Sequence, residues 1–420
     1  MPGIPGRAAP GLRYPRAVHR WKSRCPRAFP QDSVRRRRPN RILGDGTSFA
    51  SAGPLMPMPL PRFQRLAKTV RAQDPGQGGT DQRIKLTPRI VRSWRSIQRR
   101  LLRKLRRAPI LGDRLLRRWH IQRYTAAMGE LPRLTPPVTY SERLLHRILF
   151  DRDPRLKIVS DKLAVRALIR DRVGDALLVP MLGAWARPED LTWDTLPNSF
   201  VLKPNHGSGM VAIVHDAARL ERREIEAQMR SWLRLDYFER AYEWGYRKLP
   251  RRIMAESLLT GPEGNAPPEV QVMAFHGKAV IMRVLTGKKG RETRHANWFD
   301  TEGVELGLKS SDIPVGTYAM APEMARALAD VAGRVASGFS HLRVDFYLTD
   351  QGLKIGELTA YHASAIVEWN DPRFNELLGR CWRDPSEAEP SRCRAALRPL
   401  RRAPVSSPGV AVVHHAIAES

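Results

Sequence analysis

The sequence predicts an α+β fold of two lobes, and three observations carry that prediction. The apolar run Phe200-Val-Leu-Lys-Pro204 leads into a small-residue loop, Asn205-His-Gly-Ser-Gly209, and then a second apolar run, Val211-Ala-Ile-Val214. Short apolar stretches bounded by glycines read as strands joined by a turn. The stretch from His341 to Thr359 repeats the pattern, its two arms meeting at Asp350-Gln-Gly352. Between these strand pairs, Met324, Leu328, Val331 and Val335 recur at helical spacing in a segment opened by Pro322, a residue suited to a first helical turn.

Residues 140–172 read as helical, and a linker follows near Pro180 and Pro188. The strands 200–204 and 211–214 come next, then a helix from Arg222 to Leu233 with Met229 and Trp232 on its apolar side. Strands at 252–259, 269–275 and 278–285 follow, the last two turning at His276-Gly277. A helix over 322–337 then leads into the 341–359 hairpin. Along its first arm Arg343 and Asp345 are two apart and share a face, as do Glu357 and Thr359 on the second. Leu342, Val344, Phe346, Leu353 and Ile355 supply the core face.

A chain of 420 residues with 42% apolar content is long enough for a sizeable core. Its charge of +30 is unevenly placed: residues 1–124 hold 31 Lys or Arg against 5 Asp, leaving a net of +4 for the remainder. Residues 1–88, rich in Pro, Arg, Gly and Ser, lack apolar periodicity and are expected to be disordered. They hold no apolar stretch long enough for a signal-peptide core or a membrane span, and Met56 or Met58 offers a later translation start. Residues 89–124 set Ile90, Trp94, Ile97, Leu101 and Leu105 at helical spacing among arginines, as in a basic amphipathic helix. Packing on the neighbouring domain ranks first for its apolar stripe and peripheral contact with an anionic membrane second. Nucleic acid ranks last, since no zinc spacing or RNA-binding aromatic motif accompanies the charge. After Trp382 the chain turns to Pro, Ser, Glu and Arg, and 383–420 is expected to be a loose tail. The cysteines, Cys25, Cys381 and Cys393, make no disulfide framework, which favours a reducing cytoplasm.

Two segments carry candidate chemistry. Lys203, followed by Gly207, Ser208 and Gly209, joins a point charge to a loop whose backbone N–H groups can approach phosphate oxygens, although a plain hairpin gives the same pattern. The order is not that of a P-loop. Folding the late hairpin brings Asp345 near Glu357, and hard oxygens of this kind suit Mg²⁺ together with substrate phosphates. An exposed Arg–Asp pair is the plainer reading of that face.

A lysine in a helix (Lys162 in Ser160-Asp-Lys-Leu163), a second lysine before a small-residue loop, a hinge glutamate in Ile253-Met-Ala-Glu-Ser-Leu-Leu259 and a late Arg-x-Asp with a glutamate some dozen residues on resemble the ATP-grasp superfamily. The resemblance is closer to its TupA-like branch, associated with teichuronopeptide and other surface polysaccharide synthesis. It is carried by Tyr140-Ser-Glu-Arg143, Asp161-Lys162, Val201 to Gly209, Phe275-His-Gly-Lys278, Trp298-Phe-Asp300 and Gly356-Glu-Leu-Thr359, and covers about residues 136–380. It implies two α+β lobes clasping a nucleotide, with 125–382 as the catalytic domain. ATP phosphates would meet Lys162 and Lys203 and the loop Asn205, His206, Gly207, Ser208 and Gly209. Glu256 would stand near adenine or ribose, and Gln271 near a nucleotide edge. Mg²⁺ would be held by Asp345, Glu357 and Thr359, while Arg343 and Lys203 neutralise charge on the transferred phosphoryl group.

The implied activity is ATP-dependent ligation of a carboxylate to an amine through an acyl phosphate, in a cytoplasmic protein with access to the inner membrane face. The expected substrates are a carboxylated sugar or polymer precursor and an amino acid. Three departures bear on this. Thr359 stands where Asn is frequent, Glu269-Val-Gln271 stands where the branch has Asp-Tyr-Lys, and Ala360-Tyr-His-Ala-Ser-Ala365 is not the branch's usual sequence. A degenerate scaffold that binds nucleotide without turnover and docks through its basic helix is the alternative, and phosphoryl transfer to a sugar hydroxyl is a third reading.

Overall fold

The computed structural model describes residues 109–287, 294–309 and 313–400. The expectations for residues 1–88, for 89–108 of the basic helix and for 401–420 of the tail lie outside them. The described chain opens with α1 (Pro109–Met128), α2 (Tyr140–Phe150), α3 (Arg155–Ser160) and α4 (Val165–Val173). Next come β1 (Met181–Trp185), β2 (Phe200–Pro204), β3 (Ala212–Val214), α5 (Arg222–Arg234), α6 (Tyr237–Ala241) and β4 (Ile253–Ser257). Strands β5 (Glu269–Phe275), β6 (Lys278–Thr286), β7 (His295–Phe299) and β8 (Glu305–Leu306) precede α7 (Pro322–Ala336). The hairpin β9 (Leu342–Thr349) and β10 (Gly352–Thr359) is followed by α8 (Pro372–Arg383) and α9 (Pro390–Leu397).

These strands form a small sheet in the order β1-β4-β2-β3 and a larger one in the order β10-β9-β5-β6-β7-β8. All of their pairings are antiparallel. Alternation sorts the larger sheet into two faces. Val270, Val272, Met282, Val284, Val344 and Phe346 are buried on one, where the apolar side of α7, with Ala325, Leu328, Ala332 and Val335, belongs to the same core. On the other face α2 and α8 cover one end, where Tyr140 meets Phe275 and His341 edge to face. The start of α2 explains the Tyr140-Ser-Glu-Arg143 motif. Thr139 caps Glu142, and the Glu142 carboxylate accepts the Arg133, Val138 and Thr139 N–H groups at 2.8, 2.9 and 2.9 Å.

The structure departs from the sequence reading at several places. Residues 140–172 are three helices rather than one stretch, with breaks at 151–154 and 161–164. Asp161 causes the second break, because its carboxylate accepts the Leu163 and Ala164 N–H groups at 2.9 and 3.2 Å. Lys162 therefore sits in a turn and not in a helix. The linker flanked by Pro180 and Pro188 contains β1, a short edge strand paired only with β4. Within the expected tail, α9 is helical and buries Cys393 and Leu397. The described part of the basic helix packs through Tyr124 and extends to Met128.

A buried carboxylate fastens α1 to the chain beyond β10. Glu243, 4% exposed, accepts the Ser364 hydroxyl at 2.6 Å, and Arg123 donates to the Ser364 carbonyl at 3.1 Å. This holds Ala363, Ser364 and Ala365 at φ of 47°, 50° and 69°, left-handed values unfavourable for non-glycine residues. Burial pushes the Glu243 carboxyl up to about 7, against the pull of Ser364 and Arg123. The folded state thus holds this proton more tightly than the unfolded chain does, and Glu243 lowers stability progressively as pH rises from about 4.5 to about 7. Glu243→Gln is expected to remove that slope and to stabilise the protein at pH 8 by on the order of 3 kcal/mol, read as a higher melting temperature at pH 8 with little change at pH 4.5.

Candidate active site

Beyond the end covered by α2 and α8, that face of the larger sheet carries its polar residues in a row. Register sets Glu357 opposite Asp345, Asp345 opposite Gln271, Gln271 opposite Arg283, and Arg283 opposite Trp298. Thr359, Arg343 and Met273 form the adjacent row. Strict alternation along β10 would have put Glu357 on the same face as Ile355. A bulge at Gly356 shifts the register so that Ile355 stays opposite Phe346 while Glu357 turns to Asp345. Gly356 suits that position, since an added Cβ would lie 2.4 Å from the Tyr347 ring.

Arg343 grips Asp345 in a fork, Nε and Nη2 donating to the two carboxylate oxygens at 2.7 and 2.6 Å. Its Nη2 also donates to the Thr359 hydroxyl at 3.2 Å, so Thr359 orients Arg343. Asp345 is 5% exposed. Burial pushes its carboxyl up to about 7, with Glu269 and Glu357 adding to the rise and Arg343 opposing it. Burial alone would raise Glu357 as well. Lys162, 3.0 Å away and hydrogen-bonded, together with Arg343 and Lys203, outweighs it and holds Glu357 below its usual range.

The small sheet contributes the second cluster. Val201 is opposite Glu256 in the β2–β4 register, which places Lys203 on the same face as that glutamate. Lys203 Nζ lies 2.5 Å from one Glu256 oxygen and Arg166 Nη1 lies 3.3 Å from the other. Lys162 joins the two sheets, because its Nζ donates both to the Gly207 carbonyl at 2.7 Å and to Glu357. Its own N–H donates to the Asn205 carbonyl at 2.9 Å.

Asn205 and His206 face into the protein. The Asn205 amide donates to Asp161 and to the Pro250 carbonyl at 2.8 and 2.9 Å and accepts the Arg252 N–H at 2.8 Å, which uses its side chain to hold the loop. His206 Nε2 meets the Leu235 carbonyl at 3.2 Å. Both residues position the loop, in contrast to the expectation that they line it. Gly207 and Gly209 have φ of 85° and 75°, and an added Cβ at Gly207 would lie 2.4 Å from the Tyr237 ring. Ser208 is exposed between them.

Sequence reasoning gave Glu269 no site role beyond its place in the departing Glu269-Val-Gln271 motif, and did not single out Arg294 or Arg283. Gln271 Nε2 donates to Glu269 at 2.7 Å, and Arg294 pairs with the other Glu269 oxygen at 2.9 Å. Arg283 is buried with its guanidinium 5.3 Å from the Trp298 ring. Polar residues alternating with Val270, Val272, Met282 and Val284 were the available signal. Among the described residues, no three His, Cys, Asp or Glu side chains converge on a metal position.

Two antiparallel sheets, one carrying Lys203 and Glu256 and the other Arg343, Asp345 and Glu357, with Lys162 bonded both to Glu357 and to the glycine-rich loop, make the arrangement of an ATP-grasp fold. The chain matches the TupA-like ATP-grasp profile over residues 142–383 and belongs to that family. Among solved structures it is similar to the ATP-grasp ligase PsnB complexed with minimal precursor, at 18% identity over 53% of this chain and 60% of that one, with a TM-score of 0.29. It is also similar to D-alanine–D-alanine ligase from Bacillus anthracis complexed with ATP, at 15% identity over 58% and 66% of the two chains, with a TM-score of 0.31. The chain thus spans 60 to 66% of the length of these structures. A search of curated proteins found no match.

Proposed function

We propose that this protein is an ATP-dependent carboxylate–amine ligase that acts in cell-surface polysaccharide biosynthesis, joining an amino acid to a carboxylated sugar or polymer precursor. The observation that carries the ligase reading is the set of charge pairs Lys162–Glu357, Lys203–Glu256 and Arg343–Asp345, with Lys162 linking the loop of the small sheet to Glu357 of the larger one. A polyphosphate with its divalent cation is the complementary ligand, since the phosphates match the cationic members and the metal matches the carboxylates. The polysaccharide role is supported by the resemblance to the TupA-like branch alone.

The residues present fit magnesium. Asp345 is a buried carboxylate with Glu269 and Glu357 close enough to raise it further, a concentration of negative charge that a divalent cation relieves. With only Asp345 and Glu357 as carboxylate ligands, the remaining positions fall to phosphate oxygens and water, as magnesium prefers. When bound, the metal supplies Lewis-acid polarisation of the phosphate oxygens.

The chain's own residues do the rest by position. Lys203 and Lys162 reduce the repulsion between an incoming carboxylate and the terminal phosphate. Arg343, oriented by Asp345 and Thr359, neutralises charge on the transferred phosphoryl group, giving an acyl phosphate that the amine then attacks. No protein nucleophile is required. Gln271 in place of the family's lysine favours a changed contact at the nucleotide or acceptor. Peripheral membrane contact through the basic segment would bring the enzyme to a lipid-linked acceptor at the inner membrane face. No helix among the described residues is long and apolar enough to cross a membrane.

The test is calorimetric binding of ATP by the full chain with and without Mg²⁺, comparing the native protein with Lys203→Ala and Asp345→Ala. Magnesium-dependent binding lost in both variants supports the reading and directs a screen of uronic acids and amino acids for ADP release. Absence of native binding overturns it, and binding without ADP release across that screen returns the scaffold alternative.

A further inference from the structure

Two of the three cysteines, which no pattern in the sequence joins, meet in the fold. Cys381 lies near the end of α8 and Cys393 lies in α9, both buried, with their Sγ atoms 3.6 Å apart. Both thiols reach the same acceptor, the Glu387 carbonyl in the intervening turn, at 3.4 and 3.1 Å. The contact is held from outside the turn. Lys278 pairs with Glu389, Arg394 with Glu302 at 3.4 Å, and the Gly307 N–H donates to the Leu400 carbonyl at 2.6 Å. These contacts lay the arm 384–400 across β6 and the chain around β8, fixing α9 against α8.

A disulfide needs its sulfurs about 2.05 Å apart, so the two must close by roughly 1.5 Å, a distance that side-chain rotation supplies when both helices are already placed. We propose that Cys381 and Cys393 are a dithiol modification site, oxidised to an intrachain disulfide by a low-molecular-weight disulfide such as oxidised glutathione. On local opening of the 384–400 arm, which admits the reagent to the buried pair, the thiolate of one cysteine attacks the reagent's disulfide, forming a mixed disulfide and releasing one reduced thiol. The second cysteine's thiolate then attacks the protein sulfur of that mixed disulfide and expels the other. Two electrons pass from the protein to the reagent, and the two protons lost by the cysteines are taken up by the released thiols. Cys393 ionises first, because the hydrogen bond from Cys381 lowers its thiol while the same contact raises Cys381. The product ties the 384–400 arm to α8, whose Trp382 packs on Arg147 and donates to Ser340 beside the start of β9.

The experiment uses the full chain carrying Cys25→Ser, equilibrated over a series of oxidised glutathione concentrations at fixed reduced glutathione, folded or in urea. Free thiols are counted after acid quenching, and tryptic peptides are analysed by mass spectrometry. The folded protein is expected to lose both remaining thiols as one Cys381–Cys393 cross-link, half-complete at about tenfold lower oxidised glutathione than the unfolded chain. Equal or greater demand for oxidant in the folded protein, or a glutathione adduct that persists in place of the cross-link, overturns the proposal. Neither readout depends on nucleotide binding, so this proposal and the ligase reading fail separately.

Discussion

Asp345→Asn is expected to cut magnesium-dependent ADP release by about a thousandfold while leaving the fold in place. The substitution keeps the shape of the side chain and one oxygen for Arg343, and removes the charge that a divalent cation requires. The structural cost is held down because the pair is not wholly broken, the amide oxygen still accepting from Arg343, and because the carboxylate it replaces is itself costly to bury, 5% exposed and pushed up to about 7. Arg343 keeps the Thr359 hydroxyl as a partner, with Glu357 and Glu269 near enough to act on it. Circular dichroism should match that of the native chain, while turnover measured against magnesium concentration should stay near background. Native turnover in Asp345→Asn would show that Asp345 serves only to hold Arg343, and would remove the metal from this end of the row.

What the sequence disclosed and what it withheld divide along local and non-local structure. Lys203 with its glycines and the Arg343-x-Asp345 pair are legible because both are short alternating strand patterns with a turn residue at the end. The position of Glu357 was legible only in part. Its nearness to Asp345 follows from a two-arm hairpin, but the face it occupies depends on the bulge at Gly356, which alternation alone places incorrectly. Lys162 required tertiary information, since the helical reading of 140–172 contains nothing to show that Asp161 breaks the helix and takes the Asn205 amide. Asn205 was assigned to a ligand because the ATP-grasp resemblance gives the whole 205–209 loop to ATP phosphates. Here every polar atom of its side chain is satisfied by protein at 2.8 to 2.9 Å. The Cys381–Cys393 contact depends on how α9 folds back, and composition suggested a tail. Glu269 and Arg283 lay in strands correctly located, and would have emerged had the alternation of β5 and β6 been followed across the sheet, whereas Arg294 precedes β7, a strand the sequence reading did not place.

Arg343 offers a way to separate a stabilising contact from a catalytic one. Arg343→Leu alone should destabilise the protein by about 3 to 5 kcal/mol, because it leaves the Asp345 carboxylate buried without the cation that grips both of its oxygens. Arg343→Leu combined with Asp345→Leu should recover most of that loss, since a well-packed apolar pair of similar volume is often as stable as a buried ion pair. Urea denaturation of the two variants and the native chain measures the difference directly. Turnover should behave otherwise, being lost in the single variant and remaining lost in the double. Recovery of stability without recovery of activity is the signature of residues retained for chemistry, because the apolar pair satisfies the fold and only the charged pair can act on phosphate and metal. If the double variant is no more stable than the single one, Arg343 is instead holding β9 against β10 through Thr359, and the loss of turnover in either variant reports a displaced strand.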